Sequence, residues 1–111
     1  MEIEVHNIKD AYDVWVVRYV MRRYRRPDAR CRRFENDVVE QWGDRSVASI
    51  THADVSGLLR TVSNRAPSRA VRLLGDIKHF FGYCVERGWR ADNPAAGITG
   101  KSIAGIGRHN D

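Results

Sequence analysis

Apolar positions recur at helical spacing along nearly the whole chain, and no segment keeps a period of two. The first helix is expected over residues 9–25. There Val14, Val17, Met21 and Tyr24 share one face, with Trp15 and Val20 beside them. Pro27 and Asp28 break the chain and open a second helix, since proline suits a first helical turn. That helix carries Phe34, Val38 and Trp42 inward and ends at Gly43, where a left-handed residue is expected. A short connector follows, in which Val47 and Ile50 can plug the core. Thr51, with Asp54 three residues on, forms a near capping box ahead of Val55, Leu58, Leu59 and Val62. The fourth helix is the longest, from Ala66-Pro67-Ser68 to Gly88, with Ala70, Leu73, Leu74, Ile77, Phe80, Phe81 and Cys84 as its apolar stripe. Gly75 and Gly82 lie inside it, each disfavoured by roughly 1 kcal/mol relative to Ala, so close contact with a neighbour is expected there. The pattern predicts an all-α, compact bundle of four helices.

Length fits this picture: 111 residues make one domain of ordinary size. The segmentation expected is a tail or upstream linker over residues 1–8, a domain over 9–96, and a Gly-rich linker over 97–111. The longest apolar run, Val14 to Met21, is interrupted by Arg18 and too short to cross a bilayer. The start of the chain lacks a signal-peptide layout, so a soluble, cytoplasmic protein with no membrane partner is expected.

Charge changes the picture more. The net +5 is unevenly spread: residues 1–17 net −3, 18–33 net +7, 34–59 net −4, 60–78 net +4, and the remainder +1. Sixteen of the nineteen cations are Arg, the better fork for phosphate oxygens and guanine edges. Arg30, Arg32 and Arg33 lie near the start of the second helix. Ser68, Arg69, Arg72 and, further on, Lys78 lie off the apolar stripe of the fourth, with Arg65 just before it. Cations beside the free N–H groups of a helix start can dock a phosphate backbone. The alternative is that these arginines pair with Glu35, Asp37 and Asp76 as ordinary surface ion pairs. The Arg22-Arg23 and Arg25-Arg26 doublets also suit a helix C-terminus.

Other chemistry is thin. Ala95 to Ser102 satisfies a loose phosphate-loop pattern, but a helix and an Asn-Pro turn precede it where that loop needs a strand, so a nucleotide site is rejected. Cys31 and Cys84 are 53 positions apart and the four histidines are scattered, so neither a disulfide framework nor a metal site is expected. No catalytic constellation and no cofactor site is found. Cys84 reads as a buried structural thiol.

The run G-D-R-S-V-A-S-I-T-H-A-D-V-S-G-L-L from Gly43, then S-R-A-V-R-L-L-G-D-I-K-H-F-F-G-Y-C-V-E-R-G-W from Ser68, then D-N-P-A from Asp92, resembles the core-binding domain of tyrosine recombinases. More narrowly it is similar to phage and prophage integrases. The resemblance implies a SAM-like helical domain that clamps one face of double-stranded DNA at the recombination core site, its second and fourth helices across the major groove. By register, Arg30, Arg33, Ser68, Arg69 and Arg72 would then face DNA, with Arg32, Arg65 and Lys78 nearby. The family cuts DNA with a tyrosine nucleophile assisted by Arg, Lys and His of a separate catalytic domain, and nothing in this chain matches that set. The implied partners are the attachment-site DNA, the catalytic domain of the same parent chain and other recombinase protomers. Two other readings stand beside this one. One is a different basic helical DNA-binding regulator. The other is a protein- or membrane-interaction module using the apolar and basic first helix.

Overall fold

A computed structural model describes residues 4–102, and these are helical with no strand among them. Helix α1 (residues 8–23) is α-helical over Ile8–Trp15, widens to a π-helical turn over Val16–Val20 and returns to α over Met21–Arg23. Helix α2 (residues 28–42) has the same form: Asp28–Phe34, a π turn over Glu35–Val39, then Glu40–Trp42. A 3-10 turn at Val47–Ser49 leads to α3 (His52–Arg65) and α4 (Pro67–Glu86). The expected four-helix, all-α bundle is what forms.

Local chemistry explains the boundaries. Asn7 caps α1 by accepting from the Asp10 amide, and the amides of Ile8 and Lys9 donate to the carbonyls of Arg45 and Gly43. The start of α1 is thereby fastened to the end of α2. Thr51 and Asp54 form the full reciprocal capping box at α3, Thr51 Oγ1 taking the Asp54 amide and Asp54 taking the Thr51 amide. Those bonds, the Thr51 backbone amide first, hold the Asp54 carboxyl below its usual pKa. Gly88, at φ +80°, turns the chain out of α4.

Gly43 differs from expectation. Its φ of −51° is right-handed. Glycine is needed because a Cβ would fall 2.6 Å from the Val39 carbonyl oxygen, which the Gly43 amide approaches to 2.7 Å. Gly75 and Gly82 differ as well: a Cβ at Gly75 meets nothing within 4 Å, and at Gly82 only the Asn93 side chain at 3.8 Å. Close helix packing does not account for either.

The inner face of α1 is also rotated from the one expected. Ile8, Ala11, Tyr12, Val14, Trp15 and Val20 are buried, whereas Val17 and Met21 are 61% and 59% exposed. The regular segment already buries Ile8, Ala11 and Trp15 and leaves Val17 off their face, and the π turn sets where the helix next returns to the core. This turn inserts an extra residue into the helical repeat, so Val20, five positions after Trp15, returns to the core where a regular helix would return Tyr19.

The core is aromatic at its centre. Phe34 lies 5.1 Å from Trp15 and 5.2 Å from Phe80 between ring centroids, and Phe80 lies 5.0 Å from Phe81. The whole expected stripe of α4 is buried. So are Ile8 and Ile98, at either margin of the 9–96 segment, and both join this core.

The three segments that carried the resemblance pack together. His52 Nδ1 lies 3.2 Å from the Pro94 carbonyl, Asn93 donates to the Lys78 carbonyl, and Arg90 donates through Nη1 to the carbonyls of Val47 and Ile50. Residues 95–102, the rejected phosphate loop, begin with a buried Ala95 and end in Thr99–Ser102 hydrogen bonds.

Candidate nucleic-acid interface

Helix α2 begins with Arg30, Arg32 and Arg33, and α4 begins with Ser68, Arg69 and Arg72. The structure brings these two helix starts together along one seam. Asp76, on α4, is almost fully buried and takes Arg30 through Oδ1 and Arg33 through Oδ2, the latter at 3.2 Å. Asp37, on α2, is 6% exposed and takes Arg69 Nε at 2.8 Å and Arg65 at 3.7 Å. Each helix thus supplies one buried carboxylate: Asp76 of α4 holds Arg30 and Arg33 of α2, and Asp37 of α2 holds Arg69 of α4, with Arg65 from the end of α3 more loosely beside it. These are ion pairs with sunken acids, not the ordinary surface pairs of the alternative reading. The hydrogen bond from Asp37 raises the Arg69 pKa further above its ordinary value, so that side chain is permanently charged.

A groove of about 450 Å³ runs beside the Asp76 cluster. Arg30, Arg33 and Arg72 line it with Trp15, Tyr24, Gly75, Asp76 and His79. Arg30 lies flat over Tyr24, its guanidinium carbon 4.0 Å from the ring centroid. This contact fixes the plane of the cation as well as its charge. His79 accepts from Trp15 Nε1 at 3.3 Å and packs 4.1 Å from the Tyr19 ring centroid. Burial, with help from the Arg23 charge, lowers its pKa and favours the neutral ring.

Of the expected site residues, Arg32, Arg65, Ser68 and Arg72 are exposed, and Arg30, Arg33 and Arg69 are half-buried. Lys78 is not brought to the groove. It lines a separate cleft with Tyr19, His79, Gly82, Tyr83 and Glu86. At the start of α4, Ala66 has no side chain to cap the first turn and Pro67 carries no N–H, so the amides of Ser68 and Arg69 lack a side-chain cap. An uncapped, positively polarised helix start with arginines on both sides suits an anionic oxygen.

Sequence reasoning names Asp37 and Asp76 as ion-pair partners but does not anticipate their burial, nor the contact of Tyr24 with Arg30. A signal existed for the two acids. Asp37 follows Phe34 by three residues, and Asp76 follows Leu73 by three and precedes Phe80 by four. Both are therefore on the inward register, where an acid needs a charged partner.

The chain matches the phage integrase central domain over residues 18–101, a span that contains the whole α2–α4 seam. It belongs to that family. No curated protein and no solved structure matches it.

Integrase central-domain membership makes DNA and recombinase protomers the general class of partner. The described residues contain no helix long and apolar enough to cross a membrane. In this integrase domain α1 is a core helix, since Tyr12, Trp15 and Val20 are buried. Its two apolar side chains left outside are Val17 and Met21.

Proposed function

We propose that this domain binds double-stranded DNA at a recombination core site, laying the starts of α2 and α4 against the groove and its phosphates. The observation that carries the reading is the seam itself. Arg30, Arg33 and Arg72 converge on one groove, Arg65 and Arg69 meet at Asp37 on the same seam, and Arg32 and Ser68 are exposed at the two helix starts. These six arginines stand against the exposed Asp28 and two carboxylates, Asp37 and Asp76, that are sunken below the arginines they hold. A different helical DNA-binding regulator would need two short helices joined by a tight turn. The helices that present this face, α2 and α4, are long and are separated by α3.

Strand cleavage is assigned to a catalytic domain elsewhere in the parent recombinase. The tyrosines of these helices support that assignment, because each is engaged in the fold. Tyr12 donates to Glu35 Oε2 at 2.8 Å, and burial and that bond push its pKa up. Tyr24 lies under Arg30, Tyr19 lies against His79, and Tyr83 lies against Trp89. Residues 97–111 then lead towards the catalytic domain, with Ile98 anchoring their start; residues 103–111 fall outside the described ones. The setting is cytoplasmic, among other recombinase protomers.

Amide chemical-shift mapping with a short duplex tests this. Shifts are expected at residues 28–33 and 67–73. Shifts confined to α1 or to the exposed side of α3 would put the DNA elsewhere and refute the assignment. In the same system Arg33→Ala and Arg72→Ala each weaken binding and reduce the salt slope by about one, as loss of a phosphate contact does.

A further inference from the structure

Arginines on a DNA-facing surface are usually long, solvated and free to move, and ordering them on binding opposes association. Here four of them are already held. Arg69 donates Nε to Asp37, which leaves N–H groups on the other edge of its guanidinium to donate elsewhere. Arg65 reaches the other oxygen of Asp37. Arg30 and Arg33 divide the two oxygens of Asp76, and Arg30 is also stacked on Tyr24. The acids are buried and on the wrong sign of charge for a DNA face, and each lies on the inward register of its helix. An acid kept there at the cost of desolvation needs a reason, and ion pairing alone is weak ground for stability.

We propose that Asp37 and Asp76 are positioning residues for nucleic-acid binding: the buried Asp76 carboxylate of α4 pre-orders Arg30 and Arg33 of α2, and the buried Asp37 carboxylate of α2 pre-orders Arg69 of α4, with Arg65 at the end of α3 beside it, so that the exposed N–H groups of these arginines face the phosphates in fixed register. The inference rests on the DNA-binding reading above and adds that the two acids promote that binding. The crossed arrangement matters, because Asp76 of α4 sets Arg30 and Arg33 of α2 while Asp37 of α2 sets Arg69 at the start of α4. The spacing between the two basic helix starts is thereby coupled to their side-chain geometry.

The sign of one measurement tests it. Neutralising an acid near a DNA face adds one unit of positive charge, so electrostatics alone predicts tighter binding for Asp37→Asn and Asp76→Asn. Positioning predicts the reverse. Fluorescence anisotropy with a labelled duplex, at fixed salt and on protein whose far-UV dichroism matches the parent, should show each variant binding about tenfold more weakly, with Asp37→Glu recovering part of the loss. Arg69→Lys, at a half-exposed position, keeps the charge but loses the Nε contact, and it should weaken binding several-fold with folding intact. It supplies the reading where a buried Asn does not fold. Equal or tighter binding by the folded Asn variants, or an unchanged Arg69→Lys, overturns the positioning role and leaves the DNA reading standing. Absence of binding by the parent overturns both.

Discussion

Arg90 offers the sharpest separation of structural from DNA-facing arginines. Its side chain is 7% exposed, and Nη1 donates to the Val47 carbonyl at 2.9 Å and to the Ile50 carbonyl at 3.0 Å. It thus ties the segment after α4 to the connector before α3, while its guanidinium covers the Phe81 ring at 5.3 Å. Arg90→Ala removes two charge-assisted bonds at roughly 1.5 kcal/mol each, about 3 kcal/mol together. The pair with Asp92, whose own side chain is exposed, adds well under 1 kcal/mol. The buried Nε, which has no partner, reduces the loss somewhat. The expected destabilisation is therefore about 3 kcal/mol, a large share of the roughly 5–15 kcal/mol that holds a domain of this size. Urea unfolding followed by dichroism should show the midpoint falling by about 2 M with the slope unchanged. Arg90→Lys should recover only part, because one ammonium replaces a planar fork. A midpoint drop of less than about 0.5 M would refute the reasoning. At temperatures where it stays folded, Arg90→Ala should bind DNA like the parent, unlike Arg72→Ala.

Four further outcomes are expected. Phe81→Ala, at the fully buried centre of the core, should cost about 3–5 kcal/mol in the same unfolding assay. Gly75→Ala should raise the melting temperature by a few degrees, because the added methyl meets nothing within 4 Å and the helix gains up to about 1 kcal/mol. Burial lowers the pKa of His79 in the fold, so the unfolded chain binds its proton more readily. Stability should therefore be full above the ordinary value of 6.5 and fall as the pH drops below it, a slope that His79→Gln should flatten in unfolding midpoints taken from pH 7.5 to 5. Burial also pushes the Cys84 thiol up to about 12, so at pH 8 a thiol reagent should label only Cys31 in the folded protein and Cys84 only after denaturant is added.

Most of the fold was legible because periodicity holds along α2, α3 and α4, joined by a proline at the starts of α2 and α4 and by the capping box of α3. The capping box at Thr51 and the seven-residue stripe of α4 needed no tertiary information. What periodicity misread was the face of α1. Ile8, Ala11 and Trp15 already set a face that excludes Val17 before the π turn, and the π turn, which has no residue signature, brings Val20 rather than Met21 back to the core. Gly43 was placed correctly as a stop, but steric approach of the Val39 carbonyl, not a left-handed backbone, makes glycine necessary there. At the basic face the arginines were visible by their offset from the apolar stripes. Asp37 and Asp76 were legible as their partners, but as surface acids, when their register already points inward. Lys78 was grouped with the α4 cations by charge alone, and its helical position sends it to a different cleft.

The most direct test of the central claim is fluorescence anisotropy of a labelled duplex titrated with this chain at several salt concentrations. Binding with a Kd of roughly 10⁻⁴–10⁻⁶ M, tighter at low salt and with a steep negative dependence on salt, is the predicted result for a basic clamp acting through phosphates. No binding even at low salt would contradict it, leaving the crossed arginine–aspartate pairs as a purely structural seam.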